Sequence, residues 1–453
     1  MSDTVAELQA LADRVIDRAG AGEQLEAYVS RGGQTEVRVY EGAIEHFVSA
    51  QSEGIGIRVI RDGRTGFAYA GSLDEAAISE LLSEARENAG YGTVDEWAGL
   101  ATPDGVAVTP QELWNDELGE TTSEAKIAVA IELDRVASVA DPRVRVEEAD
   151  YADAWGEVAV ATTTGIREGG RENGCHVTVS TLASEGGPDA ETETGFGFSV
   201  GRRLAELDLP KAAADGVDRA VRLLGATKPS SRRLTVVLDP YVTAQFLSII
   251  GGTLNGESVV KGRSLFRDRI GEHVAAERIT LVDDPTNPDA YTATDVDGEG
   301  LAARRNVLIE GGQLRQFVHA SYSARRAGTV STGNAVRGGF RGTPGVGCLA
   351  LQLKPGTRSQ TDLVAGVDDG VLVQSVHGLH SGVNPVSGDF STGASGLMIS
   401  GGALGAPVRE FTIASTLQRM LLDVLEIGGD VDWLPMRAAG VSLVIGDVTV
   451  SGT

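Results

Sequence analysis

The sequence predicts an α+β protein in which an N-terminal α/β domain, residues 1–226, precedes a β-rich C-terminal domain, residues 232–453. Glycine accounts for 59 of the 453 residues, whereas aromatic residues make up only 5 % of the chain. A glycine content well above the usual ~7 % is typical of strands that are joined by many tight turns. Apolar residues alternate with polar ones in some segments and recur at helical spacing in others, which indicates both strands and helices.

The first predicted elements are one helix and three short strands. Thr4 and Glu7 have the pattern of a capping box, and apolar residues follow at helical spacing as far as Val15. Asp62 and Gly63 predict a hairpin turn, because both residue types accept positive φ. The predicted strands are residues 35–41, 52–60 and 66–70.

The rest of the N-terminal domain is predicted to combine helices with strands. Ser72 and Glu75 repeat the capping-box pattern, so a helix is expected from there to Ala85. Residues 91–120 have no clear period and are predicted to form an exposed connection, and residues 184–193 a loop. Further helices are predicted at 126–137 and 217–224, and further strands near 143–151, 156–164 and 174–182.

The domain boundary is predicted at residues 227–231, where Lys, Pro and Ser interrupt the periodic pattern. Beyond it, short strands and glycine-rich turns prevail. Asp239 and Pro240 are expected to cap a helix after a buried strand, and residues 417–425 carry the most persuasive helical pattern of this half. The predicted strands are 235–238, a hairpin at 307–314 with a Gly-Gly turn, 349–353, 371–376, 398–399 and 441–450.

Charge and cysteine content exclude several classes of function. The chain has 39 basic and 64 acidic residues, a net charge of −25, which repels nucleic acid and anionic lipid. No apolar stretch approaches the ~18 residues that a membrane-spanning helix needs, and the N-terminal residues lack the pattern of a signal peptide. Cys175 and Cys348 lack the spacing of a zinc knuckle. We therefore expect a cytoplasmic protein that binds neither nucleic acid nor membranes.

His377 and His380 form the closest pair of histidines in the chain. Their spacing could serve a metal, but the segment follows a predicted strand and only Asp389 lies nearby as a further ligand. The interpretation favoured by the residues is a turn in which one imidazole bonds to the backbone. The segment around Ser387 lacks the Gly-x-Ser-x-Gly order of a serine hydrolase.

A glycine-rich run at residues 333–347 contains Asn334, Arg337 and Arg341. It has neither the order of a P-loop nor that of a dinucleotide-binding turn. The residues leave two interpretations open: an irregular segment that approaches another strand, or one that approaches an extended ligand. A second cluster, made of Asp283, Asp284, Asp295, Asp297 and Glu299, lacks the EF-hand spacing, so a solvated acidic turn is favoured over a calcium site.

A series of ordered motifs resembles the TldD/PmbA family over nearly all of residues 25 to 450. The motifs are Ser52 to Ile60 followed by Asp62-Gly63-Arg64 and Gly66-Phe67-Ala68, Asp283-Asp284-Pro285, Asp297-Gly298-Glu299-Gly300, Ile309-Glu310-Gly311-Gly312, Thr332-Gly333-Asn334, His377-Gly378, Val383-Asn384 and Ser387-Gly388-Asp389-Phe390-Ser391. Because many motifs recur in one order, the resemblance is specific.

The resemblance implies one of two kinds of subunit. TldD-like members carry an HExxxH motif on a helix of the second domain, where two histidines and a later cysteine bind zinc and the glutamate acts as the base. PmbA-like members, also called TldE, lack the motif and pair with a TldD-like subunit. The pair is a cytosolic protease that acts on unfolded or peptide substrates, including leader peptides and an antitoxin.

This chain resembles the PmbA/TldE branch. When residues 236–240 are placed on the matching family strand, Ser248, Ile249 and Thr253 occupy the HExxxH positions, and no cysteine follows Cys348. Hydroxyl groups are poor zinc ligands, and an isoleucine cannot accept a proton from water. We therefore predict that this chain holds no catalytic residue, no metal and no cofactor, and that zinc belongs to a TldD-like partner.

The resemblance thus predicts a non-catalytic subunit of a TldD/TldE zinc metalloprotease complex, which forms a heterodimer, or a homodimer when alone. Two alternatives stay open: a homodimeric peptide-binding protein without a protease partner, and a self-sufficient hydrolase that uses His377 and His380. Glycine-rich backbone and an exposed strand edge suit an extended, unfolded peptide. The residues expected to line a substrate chamber are Asn334, Arg337, Arg341, His377, His380, Asn384 and Asp389.

Overall fold

The computed structural model describes residues 3–186 and 191–453 and confirms the α+β fold class. The helices of the described residues are α1 Asp3–Ile16, α2 Glu75–Tyr91, α3 Asp116–Gly119, α4 Ser123–Ser138, α5 Leu209–Val221, α6 Pro240–Thr253, α7 Gly256–Val260, α8 Ser321–Ala327, α9 Gln360–Ala365, α10 Leu379–Gly382 and α11 Leu417–Leu422. A short 3-10 helix spans Leu204–Glu206. No helix in this part of the chain is long and apolar enough to cross a membrane.

Eighteen strands are formed by the same residues. They are β1 Gln24–Tyr40, β2 Ala43–Arg61, β3 Arg64–Ala70, β4 Val144–Thr162, β5 Arg167–Ser184, β6 Thr192–Gly201, β7 Arg232–Leu238, β8 Leu281–Asp283, β9 Asn306–Glu310, β10 Gln313–Leu314, β11 Ala335–Val336, β12 Gly345–Val346, β13 Leu351–Leu353, β14 Asp369–His377, β15 Asp389–Ser400, β16 Ala403–Thr416, β17 Val424–Ile427 and β18 Leu443–Ser451. Part of the loop predicted at 184–193 lies outside the described residues.

The N-terminal half is built on one antiparallel sheet of six strands in the order β3-β2-β1-β4-β5-β6. Helices α1 and α2 cover one part of it and α4 and α5 another, and each part has its own apolar core. The hairpin turn between β2 and β3 forms as predicted, with φ of 51° at Asp62 and 70° at Gly63. Both values lie in the left-handed region, which suits the right-handed twist of a two-residue hairpin.

The C-terminal half contains a second six-stranded sheet in the order β16-β15-β14-β7-β18-β17, and a smaller sheet in the order β10-β9-β8-β13. In the larger sheet, β16 also pairs with β18, so five of its strands close on themselves. Helix α6 packs against this closed sheet through apolar residues such as Phe246, Leu247 and Ile250. The larger apolar core of this half is therefore a continuous cluster around α6, and a second, smaller cluster joins α9 to the same sheet.

Several predicted boundaries need correction. Helix α2 begins at Glu75, with Asp74 in the N-cap position and no side-chain cap, so the capping box at Ser72 does not form. The strands predicted near 143–151 and 156–164 are one strand, β4, because long-range pairing with β1 and β5 continues through the polar residues between them. Helix α11 ends at Leu422, so α6 is the longest helix of the C-terminal half in the described residues.

The glycine-rich run at 333–347 packs against another strand, one of the two interpretations that the sequence left open. Phe340 lies on β2, where a Cβ built on Gly54 would overlap the Phe340 ring and one built on Gly56 would overlap the Phe340 carbonyl oxygen. Because these two positions lack side chains, Phe340 of the C-terminal half can contact the surface of the N-terminal sheet. Phe340 is itself buried by this contact, with 5 % of its surface exposed.

We expect Gly56→Ala to lower the free energy of unfolding by about 1–3 kcal/mol, because the added methyl group has no space beside Phe340. Urea unfolding measures this change. The matched control is Gly156→Ala on β4, where a Cβ meets no atom within 4 Å. Equal effects of the two substitutions would contradict the proposed cause.

Candidate functional site

Helix α6, on which the resemblance places the positions of the zinc motif, begins at a well-defined cap. The side chain of Asp239 accepts a hydrogen bond from the Tyr241 N–H at 3.0 Å, and Pro240 occupies the first turn, where its missing N–H costs nothing. Arg219 donates to the same carboxylate at 2.9 Å and so ties α6 to α5. The sequence prediction of a capped helix at Asp239 and Pro240 is confirmed.

The three positions of the zinc motif provide no ligand set. Ser248 is exposed and donates to the Ala244 carbonyl at 2.9 Å, while Thr253 is buried and donates to the Ile250 carbonyl at 2.6 Å. Both hydroxyl groups are therefore engaged by the backbone of their own helix. Ile249 lies between them and packs against the core. These residues do not fit a zinc ion, because hydroxyl groups are poor zinc ligands and isoleucine has no ligand atom.

Cys348 lies beside α6, where a Cβ built on Gly251 would stand 3.3 Å from its Sγ. Burial raises the pKa of the Cys348 thiol well above its usual value, and the charge of Asp283 acts in the same direction. A thiol that stays protonated is a poor zinc ligand. Across residues 3–186 and 191–453, no group of three or more His, Cys, Asp or Glu side chains is arranged to hold a metal ion.

The 377–391 loop runs from the last residue of β14 through α10 to the first residues of β15, and most of its residues lie at the surface. Asn384 organises it by accepting hydrogen bonds from the N–H groups of Val386 at 2.9 Å and Ser387 at 3.2 Å. The predicted chamber residues of this loop are all exposed: His377, His380, Asn384 and Asp389. They are accessible to a ligand, and their role in peptide binding stays a prediction.

Asn334 needs a correction, because it is fully buried and cannot line a chamber. Its Nδ2 donates to Asp283 Oδ2 at 2.6 Å and to the Gly347 carbonyl at 3.1 Å. Its Oδ1 accepts hydrogen bonds from Thr332 and Asn306. Both polar atoms of the amide are thus engaged, and they tie the glycine-rich run at Gly347 to Asp283 and Asn306. Arg341, by contrast, is exposed, and its guanidinium lies 5.2 Å from the centre of the Phe340 ring.

Arg337 joins the two halves of the molecule through a buried ion pair. It donates to Glu26 on β1 at 2.6 Å, and Arg58 on β2 donates to the other oxygen of the same carboxylate at 2.7 Å. Only 1 % of the Arg337 side chain is exposed, and its guanidinium stacks 4.4 Å from the Tyr28 ring. Burial alone would raise the pKa of Glu26, but the two guanidinium groups outweigh burial and lower it. Glu26 therefore stays ionised between two cations.

A cleft of about 570 Å³ separates the N-terminal sheet from the C-terminal half. Its walls come from distant parts of the chain, including β4, β5, residues 291–298 and 335–337, and Arg437. The walls exclude water from Glu172, and this desolvation raises the pKa of its carboxyl although Arg202 and Arg437 oppose the shift. Sequence reasoning missed this cleft, because no local motif spans its walls. None of the residues that line it comes from the 377–391 loop.

The acidic cluster at 283–299 also differs from the solvated turn that the sequence favoured. Asp283, Asp297 and Glu299 are almost fully buried. Asp297 accepts hydrogen bonds from three backbone N–H groups, those of Glu299, Leu301 and Ala335, at 2.9 to 3.0 Å. Burial and the nearby charge of Glu299 raise the pKa of Asp297 to about 7, and burial raises that of Asp283 to about 6. These carboxyl groups organise turns instead of facing solvent.

Comparison with known proteins places the chain in a family. Family models match residues 25–89 as PmbA/TldA metallopeptidase domain 1, residues 116–224 as the central domain and residues 231–452 as the C-terminal domain. The chain belongs to the PmbA/TldD metallopeptidase family. The resemblance inferred from the ordered motifs is thereby confirmed, and the six-stranded N-terminal sheet runs through both domain 1 and the central domain of this family.

The similar proteins include some that are named PmbA and others that are named TldD. Metalloprotease PmbA of Escherichia coli O157:H7 is 25 % identical over 96 % of this chain and 93 % of its own length. The Metalloprotease TldD homolog of Haemophilus influenzae is 26 % identical over 88 % of this chain and 87 % of its own length. The crystal structure of TldE from Thermococcus kodakarensis is 25 % identical and has a TM-score of 0.89, with 99 % of each chain covered.

We expect Arg337→Met to lower the free energy of unfolding by about 3–5 kcal/mol, because it removes one partner of the buried Glu26 carboxylate. Chemical denaturation measures the loss. The control is Arg232→Met, which removes an exposed pair with Asp369 and should cost less than about 1 kcal/mol. If the Arg337 variant were as stable as the control, the ion pair would not join the two halves.

Asp297→Asn tests the raised pKa of Asp297. Between about pH 4 and pH 7, the folded protein keeps a proton on Asp297 that the unfolded chain has already released. The stability that this group contributes is complete below about pH 4 and is lost as the pH rises to about 7. We therefore expect the stability of the unaltered protein relative to the variant to fall between about pH 4 and pH 7, measured by urea unfolding at both pH values.

The control for this measurement is Asp62→Asn, in an exposed hairpin turn. Asn accepts the positive φ of that position, so the substitution should preserve the turn. Urea unfolding of this variant at the same two pH values measures the effect of an Asp-to-Asn change in an exposed turn. A difference for Asp297→Asn that does not change with pH would contradict the assignment.

Proposed function

We propose that this chain is a non-catalytic PmbA/TldE-type subunit of a TldD/TldE zinc metalloprotease complex that acts on unfolded proteins or peptides, such as leader peptides or an antitoxin. The observation that carries the proposal is the chemistry of α6. The hydroxyl groups of Ser248 and Thr253 donate hydrogen bonds to carbonyl groups of their own helix. Ile249, at the motif position of the catalytic base, packs against the core. In the residues that the structure describes, the fold of a metallopeptidase family is present without a group of side chains that could hold a water-activating metal ion.

The partner in this proposal is a TldD-like subunit that supplies the zinc ion and the catalytic glutamate. Support comes from the names of similar proteins, which include a TldE of known structure as well as TldD and PmbA homologs. In a complex with that partner the chain forms a heterodimer, and alone it forms a homodimer. With a net charge of −25, the subunit works in the cytoplasm and away from nucleic acid and membrane surfaces.

The substrate in this proposal is bound mainly through its backbone. A protease that accepts unfolded chains gains affinity from main-chain hydrogen bonds, which do not depend on the sequence of the peptide. The exposed 377–391 loop, with His377, His380, Asn384 and Asp389, is the surface of this chain that we assign to the shared chamber, together with Arg341.

The first alternative, a self-sufficient hydrolase that uses His377 and His380, has less support than the proposed non-catalytic subunit. Both imidazoles are exposed, and a catalytic zinc ion needs three protein ligands with suitable geometry. In the described residues no third His, Cys, Asp or Glu joins them in a group that could hold a metal. A homodimeric peptide-binding protein without a protease partner is the second candidate, and the exposed strand edge of β2 favours it.

The test combines zinc analysis with cleavage of casein by this chain, by a TldD-like subunit from the same genome, and by their mixture. We expect no zinc and no cleavage for this chain alone, and cleavage that a chelator abolishes for the mixture. As the control, the glutamate of the partner's HExxxH motif is replaced by glutamine, which should abolish cleavage by the mixture.

Two results would contradict the proposal. Stoichiometric zinc in this chain alone, together with cleavage that His377→Ala and His380→Ala abolish, would favour the hydrolase. Binding of casein by this chain alone, together with cleavage by the partner that is unchanged when this chain is added, would favour the peptide-binding protein.

A further inference from the structure

The floor of the cleft between the two halves is a bare part of the N-terminal sheet. Gly156 on β4 and Gly170 on β5 line the cleft, and a Cβ built on either of them meets no atom within 4 Å. The pairing register places Gly156 opposite Glu172 and Gly170 opposite Val158, so the side chains of Glu172 and Val158 stand on the same face of the sheet. Glycine inside a strand weakens it and often marks a place where a ligand approaches the backbone closely. No other part of the described chain fills the space above these two glycines.

Aromatic and apolar side chains also line the cleft, among them Tyr28 of β1, Trp155 of β4 and Val158. The Trp155 indole lies on β1, where a Cβ built on Gly33 would approach its Nε1 to 2.5 Å. The Tyr28 ring is held by the guanidinium of Arg337, 4.4 Å from its centre. The volume of about 570 Å³ lies within the usual range of ligand pockets, about 300–1,000 Å³. The cleft can therefore enclose a small molecule that has an apolar body.

Three carboxyl groups line the cleft, those of Glu168, Glu172 and Asp295, and in the described residues none of them forms an ion pair. Burial raises the pKa of both glutamates, and the charge of Asp295 adds to each shift. Asp295 accepts a hydrogen bond from the Gln111 N–H at 2.6 Å, whereas Glu172 accepts none from the described residues although its side chain is accessible. A cationic group of a ligand would relieve this repulsion and give Glu172 the partner that the chain does not supply.

Two guanidinium groups line the same cleft. Arg202 is held in place by three backbone carbonyl groups at 3.1 to 3.3 Å. The side chain of Arg437 is exposed and, within the described part of the chain, forms neither a hydrogen bond nor an ion pair. Both guanidinium groups act on the charge of Glu172, but neither is close enough to form an ion pair with it. The cleft thus contains positive and negative groups that do not neutralise each other by direct contact.

We propose that the cleft binds a small zwitterion with an apolar body, whose ammonium group contacts Glu172 and whose carboxylate contacts Arg437. Charge-assisted hydrogen bonds of this kind are the strong ones, and a guanidinium can bind a carboxylate through two of them. The apolar body lies on the bare floor at Gly156 and Gly170, where only a ligand can replace the missing side-chain contacts.

Free amino acids and dipeptides share this chemistry. A dipeptide covers more of the floor and of the aromatic lining, so we expect it to bind more tightly than a single amino acid. The 377–391 loop contributes no residue to the cleft. The zwitterion site is therefore separate from the surface assigned to the protease chamber, and it does not depend on a protease partner.

Isothermal titration calorimetry of this chain alone tests the proposal with four ligands. They are L-leucyl-L-phenylalanine, its N-acetylated form, its C-terminal amide, and free L-phenylalanine. We expect the dipeptide to bind, and each blocked form to bind at least about tenfold more weakly, because each has lost one charged group. Tighter binding of the dipeptide than of phenylalanine indicates peptides as the source of the ligand, and the reverse order indicates free amino acids.

Two substitutions assign the charged groups to their partners. Glu172→Gln should remove the discrimination against the N-acetylated dipeptide, and Arg437→Gln the discrimination against the amide, because each variant lacks the protein charge that the blocked group would have contacted. The matched controls are Glu80→Gln and Arg145→Gln, which change exposed residues outside the cleft and should bind the dipeptide like the unaltered protein.

Gly170→Val tests the floor of the cleft. A side chain at this position has space in the folded protein, and it occupies the space that the proposal gives to the ligand. We therefore expect the variant to remain folded and to lose binding of the dipeptide more than about tenfold. Thermal unfolding checks that the variant is folded.

The proposal is overturned if neither the dipeptide nor phenylalanine binds, or if the blocked dipeptides bind as tightly as the free one. It is also overturned if Glu172→Gln and Arg437→Gln leave the binding unchanged, because the ligand would then lie elsewhere. Should Gly170→Val fail to fold, the blocked dipeptides and the two charge variants decide. None of these measurements involves casein or a TldD-like subunit, so this proposal can fail while the proposed function holds, and the reverse.

Discussion

The buried carboxylate of Glu26 is the constraint on which the arrangement of the two halves depends. It accepts hydrogen bonds from Arg58 of its own sheet and from Arg337 of the C-terminal half. A charge in this position is tolerable only while both guanidinium groups are in place, because an unpaired buried ion costs several kcal/mol. The Tyr28 ring under Arg337 and the bare strand under Phe340 hold the same two surfaces together. The cleft is the space that remains beside this junction.

Local features of the fold could be predicted from the sequence, because short-range patterns determine them. The turn at Asp62 and Gly63 and the helix start at Asp239 and Pro240 follow from backbone preferences of single residues. The length of β4 could not be predicted, since its polar middle residues are held by pairing with β1 and β5. Tertiary contacts of this kind override local polarity.

In the candidate site too, local features could be predicted from the sequence, whereas contacts between distant segments could not. Glycines 54 and 56 were recognisable as a bare strand surface, but only the structure identifies Phe340 as what covers it. Asp297 has the sequence context of a solvated turn, yet it is buried with three backbone N–H donors. Neighbouring residues do not reveal such burial, because the atoms that exclude water and donate the hydrogen bonds come partly from other segments, as Ala335 does.

The construction of α6 explains how a member of this family could lose catalytic groups and keep its fold. The helix is fixed by its cap at Asp239, by Arg219, and by apolar side chains such as Phe246 and Leu247. The exposed position Ser248 contributes only a hydrogen bond to its own helix. Of the three positions compared with the zinc motif, Thr253 is buried and Ile249 packs against the core, so only Ser248 lies outside the residues that stabilise the helix. For the proposed non-catalytic subunit this means that the fold of α6 is maintained without a metal ion, because the cap, the contact with Arg219 and the apolar core hold the helix in place.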